Sequence, residues 1–190
     1  MIHEQIRPLD TWGNDQVQLL SPPERAIVAA YRLRLGLDYS KIADHIVSLR
    51  QHPALLGDAT ISIDGTGLGR PLLSLLRERG FSDFVSVVIT SGDQAREVSF
   101  DEWRVAKSYL VGGLSAAMST GKLLAAQGLP DGAELRKQLE DYQIEITSSG
   151  HMTANAASGS HDDMVIATAL AWFAAEHIGA PHQPVQDVSW

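Results

Sequence analysis

The chain has 190 residues, 44% hydrophobic and 20% charged, which suits one soluble globular domain with a sizeable core. It contains no cysteine, so disulfides and thiolate metal sites are excluded, and any metal must bind carboxylates or histidines. Fifteen basic against 23 acidic residues give a net charge of −8, which argues against a broad nonspecific nucleic-acid surface but leaves room for a small site where metal ions supply positive charge.

Residues 1–25 carry Pro8, Gly13, Pro22 and Pro23 and read as an irregular N-terminal segment, with room for a short strand at Gln16–Leu20. The polar start MIHEQIRPLD has no apolar signal-peptide core, and no run reaches the roughly 18 apolar residues of a membrane span. The expected setting is therefore cytoplasmic, with no membrane partner. Residues 26–178 read as the folded domain. Within it, the alternation at the end of Ala26–Leu35 predicts a half-buried strand. Asp38 can cap a helix over Ser40–Gln51, in which Ile42, Ile46 and Leu49 form one stripe. Ala59–Ile63 reads as a strand, Leu68–Arg79 as a helix ended by Gly80, and the β-branched run Phe84–Thr90 as a central strand.

Three later helices carry start signals. Ser99 with Glu102 forms a capping-box pattern before a helix ending near Thr120, and Asp131 with Glu134 does the same for a helix to Tyr142. Ser160 with Asp163 opens a last helix from His161 to His177, with Gly179 just beyond it. Residues 179–190, containing Pro181 and Pro184, read as a flexible tail. The element order predicts an α/β domain with mixed strand pairing.

The stretch ATISIDGTGLGRP, Ala59 to Pro71, runs a strand into Asp64 and three glycines. Gly65, Gly67 and Gly69 are spaced G-x-G-x-G, so the dinucleotide fingerprint G-x-G-x-x-G fails. Gly121-Lys122 is followed by Leu123, and Ala116 takes the first-glycine position, so a nucleotide-binding P-loop fails too. Two readings of Asp64 remain: a turn-forming Asp-Gly, or a metal ligand at the carboxyl end of a strand, where α/β sites lie.

A second acid bears on that choice. His161-Asp162-Asp163 forms the first turn of the last helix, whose apolar stripe is Val165, Ile166, Ala169, Leu170 and Phe173. At 100° per residue Asp162 falls near the middle of that stripe and Asp163 about 100° to one side. Both acids would complement the helix dipole. That explains Asp163, but a carboxylate on the core stripe needs a partner, which a metal shared with Asp64 would supply. The small-residue loop Ser148–Ser160 could gate a substrate.

Asp64-Gly-Thr-Gly-Leu-Gly-Arg-Pro, Val87-Val-Ile-Thr-Ser-Gly92, Val105-Ala-Lys-Ser-Tyr-Leu110 and Gly159-Ser-His-Asp-Asp-Met-Val-Ile-Ala-Thr-Ala-Leu-Ala171 occur in this order. Over roughly Tyr31 to His177 the chain resembles the C-terminal nuclease domain of bacteriophage terminase large subunits. The resemblance implies a ribonuclease H-like mixed sheet flanked by helices, and a two-metal endonuclease that cuts concatemeric viral DNA during genome packaging. Mg²⁺ or Mn²⁺ would be the cofactor, and double-stranded DNA, the terminase ATPase and portal proteins the partners, in the host cytoplasm. Asp64 matches the family's second acid, and Asp162 or Asp163 the third. The first acid is where the chain departs: either Asp10, in Asp10-Thr-Trp-Gly-Asn-Asp15, is the ligand on a degenerate first strand, or that strand is missing.

Phosphodiester cleavage requires an activated water and a stabilised leaving oxygen, which two divalent ions on hard oxygen ligands can provide. Asp64 would bridge them, and Asp162 or Asp163 would hold the second. His161 could position water or phosphate, and Arg70 and Lys107 could contact DNA phosphates, though each also suits a solvated surface. Without a P-loop, the ATPase motor of full-length terminases is not expected within this chain. The competing readings are an actin-like ATPase, for which the chain is too short, and a catalytically inactive prophage remnant or packaging scaffold.

Overall fold

The computed structural model describes residues 2–5, 24–55, 59–67, 69–146, 152–156 and 161–178. Nine strands and five α-helices are assigned among them: β1 (Ile2–Gln5), β2 (Glu24–Ile27), α1 (Tyr39–Arg50), β3 (Ile61–Asp64), α2 (Gly69–Glu78), β4 (Phe84–Thr90), β5 (Ala95–Ser99), β6 (Glu102–Ala106), α3 (Lys107–Ser119), β7 (Leu123–Ala125), α4 (Gly132–Glu140), β8 (Tyr142–Ile146), β9 (Met152–Ala156) and α5 (Asp163–His177). The main sheet has the order β3-β4-β6-β5, with β3, β4 and β6 parallel and β5 antiparallel to β6. A smaller sheet places β2 between antiparallel β1 and parallel β7, and β8 and β9 pair as an antiparallel hairpin.

Alternation along the main strands divides the core in two. Ile61, Ile63 and Phe84 join Ala43 of α1 and Leu73 and Leu76 of α2 on one face. Val85, Val87 and Val105 join α3, α4 and α5 on the other. α5 is apolar on nearly all sides, as a helix enclosed by a protein interior must be, and eight of its 15 residues are buried. Trp103 of β6 meets Phe173 of α5 edge-on at 5.4 Å between ring centroids. No helix among the described residues is long and apolar enough to cross a membrane.

Two adjacent glycines of α3 have opposite surroundings. A Cβ at Gly113 would stand 2.1 Å from the Trp172 ring, whereas one at Gly112 would meet nothing within 4 Å. Alanine gains about 1 kcal/mol of helix propensity over glycine, and overpacking costs about 1–3 kcal/mol. Gly112→Ala is therefore expected to raise, and Gly113→Ala to lower, the free energy of unfolding in urea titrations. Equal shifts of one sign would show that Trp172 does not fix the α3–α5 distance.

The mixed α/β layout and the strand Phe84–Thr90 agree with the sequence reading, as do α1, β3 and α2 to within a few residues. Other expectations are corrected. The capping-box pattern at Ser99 and Glu102 does not start a helix: Glu102–Ala106 is β6, whose five residues pair with Ser86–Thr90, and α3 begins only at Lys107. A cap is a local signal, and the parallel ladder beside β4 overrides it.

The strand expected over Ala26–Leu35 ends at Ile27. Beyond it the alternation is inverted, with Tyr31, Leu33 and Leu35 exposed and Arg32 half-buried, because the Arg32 N–H donates to the Asp131 carboxylate at 2.6 Å. Asp131, expected to cap α4, sits at its N-cap without a side-chain cap bond, and α4 stops at Glu140. Asp38 likewise makes no side-chain cap bond at α1. The stretch 1–25 contains β1 and the first residues of β2, and the loop 148–160 contains β9. The strand at Gln16–Leu20, the cap at Ser160, and the tail 179–190 lie outside the described residues.

Candidate metal centre

Asp64 ends β3 on the face occupied by α5. Ile61 and Ile63 belong to the α1–α2 cluster, so period-2 alternation turns Ser62 and Asp64 the opposite way. The glycines that follow are explained by crowding. A Cβ at Gly65 would lie 2.2 Å from Ser86 Oγ, and one at Gly69 only 1.8 Å from the Asp64 carbonyl oxygen. The chain thus folds back tightly on Asp64 to start α2. Asp64 Oδ1 accepts the Thr66 N–H at 2.8 Å, and Thr66 Oγ1 accepts the Ile89 N–H at 2.8 Å, pinning the turn to β4. The turn-forming role of Asp64 is real. It uses one carboxylate oxygen, and the residue stays half-buried.

α5 packs along β3 and runs antiparallel to it. Ile178, just past its end, lines a cleft with Thr60, Ser82, Asp83 and Phe84, at the amino ends of β3 and β4. Its first turn, with Asp162 and Asp163, therefore lies toward the carboxyl edge where Asp64 sits. The parallel strands bring Lys107 to the same edge, directly after Ala106, which pairs with Thr90.

Asp162 is the N-cap residue of α5, and its carbonyl accepts the Ile166 N–H at 2.9 Å. Its side chain does not cap. It accepts from Lys107 Nζ at 2.7 Å, with both side chains about 30% exposed. The Lys107 ammonium also stands 5.8 Å from the Tyr142 ring centroid. Burial, and then the Asp162 charge, push the Tyr142 phenol well above its ordinary range, so that ring stays neutral.

Asp163 faces a different set of groups. Arg32 Nε donates to it at 2.9 Å and Gln138 Nε2 at 2.8 Å. Gln138, 2% exposed on α4, accepts the Met164 N–H at 2.9 Å through Oε1. This amide couples α4 to the first turn of α5, a structural task separate from that of Asp162.

His161 is exposed at the foot of α5, and Arg70 is exposed in the first turn of α2. Asp10 lies outside the described residues. Among the described residues no three His, Asp or Glu converge closely enough to hold a metal ion. The fold turns Asp64 and the first turn of α5, which carries Asp162, toward the same edge of the sheet, with Lys107 paired to Asp162. Arg32, Gln138 and Tyr142 were missed in the sequence. Gln138 carried a signal, a polar residue three after Leu135 on the buried side of α4, whereas Arg32 was hidden in a strand-like alternation.

No protein-family model and no curated protein matches this chain. Solved structures do. The large terminase nuclease from thermophilic phage G20c with bound cobalt is 20% identical, covering 79% of this chain and 65% of that one, with a TM-score of 0.56. The same nuclease with bound magnesium matches at 20% identity, 72% and 62% coverage, and a TM-score of 0.54. The large terminase nuclease domain of Thermus phage P74-26 is 18% identical, covering 92% of this chain and 79% of that one, with a TM-score of 0.57. The chain spans about two thirds of the G20c nuclease. These likenesses assign the fold as that of large-terminase nuclease domains, which is ribonuclease H-like.

Proposed function

We propose that this chain is a metal-dependent DNA endonuclease domain of the large-terminase kind, a hydrolase that cuts concatemeric viral DNA during genome packaging. What supports the reading is that Asp64 ends β3 on the face α5 packs against, and that the first turn of α5, bearing Asp162, lies toward the carboxyl edge of that strand, in a fold like that of terminase nucleases. The nuclease of phage G20c, which shares that fold, has been solved with bound magnesium and with bound cobalt. Two half-buried carboxylates in a cysteine-free chain suit hard divalent ions such as Mg²⁺ or Mn²⁺. The Lys107 ammonium on Asp162 supports the same fit, because that position already favours a positive charge.

Asp64 and Asp162 would hold the metal, and Asp10 is the candidate for a further ligand. A bound ion would activate water and stabilise the departing 3′ oxygen. Lys107, once released from Asp162, is within reach of a substrate phosphate at this edge, and Tyr142 closes one side of the corner as a neutral wall. Double-stranded DNA is the substrate in this reading, and a terminase ATPase and portal are the partners, in the cytoplasm of a host cell carrying the phage or its prophage.

The test is a melting experiment with Mg²⁺ or Mn²⁺ and no DNA. A ligand at about 100 times its Kd stabilises by about 2.7 kcal/mol, which for a domain of this size raises Tm by roughly 5–10 °C. Asp64→Asn is expected to abolish the rise. Lys107→Met, which removes the competing cation, should shift the response to lower metal concentration. A flat response in the unaltered protein would favour the inactive scaffold.

A further inference from the structure

In this acidic chain most described arginines hold a carboxylate: Arg32, Arg50, Arg77 and Arg79 pair with Asp163, Asp83, Asp101 and Asp44. Arg96 and Arg104 make no ion pair among the described residues. They stand directly opposite each other in the β5–β6 ladder, both exposed. Like charges in that position repel, and no acid among the described residues forms an ion pair with either of them.

Their face is defined by their neighbours. Trp103 and Val105, on either side of Arg104, pack into the α3–α5 core, so Arg104 and its partner Arg96 point to the opposite face. Among the described residues the apolar cluster on that face draws on β3 and β4, while Arg96 and Arg104 on β5 and β6 stay exposed. Arg104 pairs with Val88, one residue beyond Val87, the partner of Asp64. It is thus level with the Asp64–Gly65 turn and two strands away, about 10 Å. Glu102 shares the face but lies one step toward the amino edge, and Glu97 alternates to the other side with Trp103. Arg70, exposed at the start of α2, adds a third cation at the carboxyl edge.

We infer that the exposed arginine pair of the β5–β6 half-face is a seat for the DNA phosphate backbone, with Arg96 and Arg104 as a cross-strand clamp and Arg70 at its carboxyl end. This rests on the nuclease reading above. A phosphodiester strand offers closely spaced single charges that guanidinium forks match in pairs. The clamp lies on the sheet face opposite the one toward which the Asp64 side chain turns, so a duplex seated on it would meet the metal corner across the carboxyl edge, where Arg70 stands. The arginines read no base and supply position only.

The test uses fluorescence anisotropy of a labelled duplex without divalent metal, over a range of salt, for the full chain and for the Arg96→Gln/Arg104→Gln double variant. The expected result is at least a tenfold loss of affinity at low salt, with the slope of log K against log salt reduced by about 2. Melting temperature should stay level or rise, since a repulsion has been removed, and the Mn²⁺ response should be unchanged. Arg136→Gln, on α4 and paired with Glu140, serves as the control that leaves binding intact. Equal affinity and equal slope in the double variant would overturn the inference while the Mn²⁺ response still supports the nuclease reading. A missing Mn²⁺ response in the unaltered chain strikes at the nuclease reading instead. Displacement of the duplex by polyglutamate at equal charge, lost in the double variant, would overturn the assignment to DNA in favour of an acidic protein.

Discussion

Asp64→Asn and Asp162→Asn are each expected to lower Mn²⁺-dependent nicking of supercoiled plasmid at least about 100-fold, while leaving the melting temperature in metal-free buffer nearly unchanged. The fold asks little of either charge. Asp64 gives the turn one acceptor, and an asparagine amide oxygen keeps the bond to the Thr66 N–H. Asp162 gives the fold a part-exposed ion pair with Lys107, and such a pair contributes at most about 1 kcal/mol. Catalysis asks much more, because a neutral amide neither attracts a divalent ion nor fixes it within the small tolerance that phosphoryl chemistry demands. The unaltered chain is itself expected to nick slowly, since the described residues contribute two carboxylates to the corner, so rates should be compared at high protein and low salt. Asp10→Asn completes the series: a loss as deep as that in Asp64→Asn would identify the third ligand. Nicking that survives Asp64→Asn undiminished would place the chemistry elsewhere and remove the metal corner as its source.

How much of this was legible in the sequence depended on whether the signal was local. The strand before Asp64, the Phe84–Thr90 run and the helix after the glycine turn were readable because apolar period and punctuation agreed. The glycine spacing pointed away from a phosphate cradle, and the structure supplies the reason: Gly65 and Gly69 are crowded by Ser86 and by the backbone of Asp64, not opened toward a ligand. What failed were places where long-range contacts outvote local pattern. Glu102–Ala106 looked like the first turn of a helix and became a strand because β4 offered it a parallel ladder. Tyr31, Leu33 and Leu35 looked like one buried face and are exposed, because Arg32 between them is drawn to Asp163. The same contact explains why helical geometry alone could not assign separate roles to Asp162 and Asp163. Their partners, Lys107 on one side and Arg32 with Gln138 on the other, come from elements 25 or more residues away in the chain.

Gln138→Leu is expected to cause a large loss of stability and no loss of metal response, and so to separate the two acids. The side chain is 2% exposed, donates to Asp163 and to Glu134, and accepts the buried Met164 N–H. Leucine fills a similar volume but leaves that N–H without its acceptor, which costs about 1–3 kcal/mol, and strips one donor from Asp163 for about 1 kcal/mol more. The sum, about 2–4 kcal/mol, lowers Tm by roughly 5–15 °C in a domain of this size. Asp163→Asn should be far milder. Its amide oxygen can still accept from Gln138, and what is lost is a half-exposed pair with Arg32, in which Asp163 keeps 52% of its side-chain surface. If Asp162 is the ligand and Asp163 a fastening, both variants keep the Mn²⁺ increment in Tm, measured as the difference between melts with and without metal, whatever their starting stability. Asp162→Asn alone loses it. The opposite pattern, an increment lost in Asp163→Asn and kept in Asp162→Asn, would exchange the two roles and make Lys107 the fastening partner of a structural Asp162.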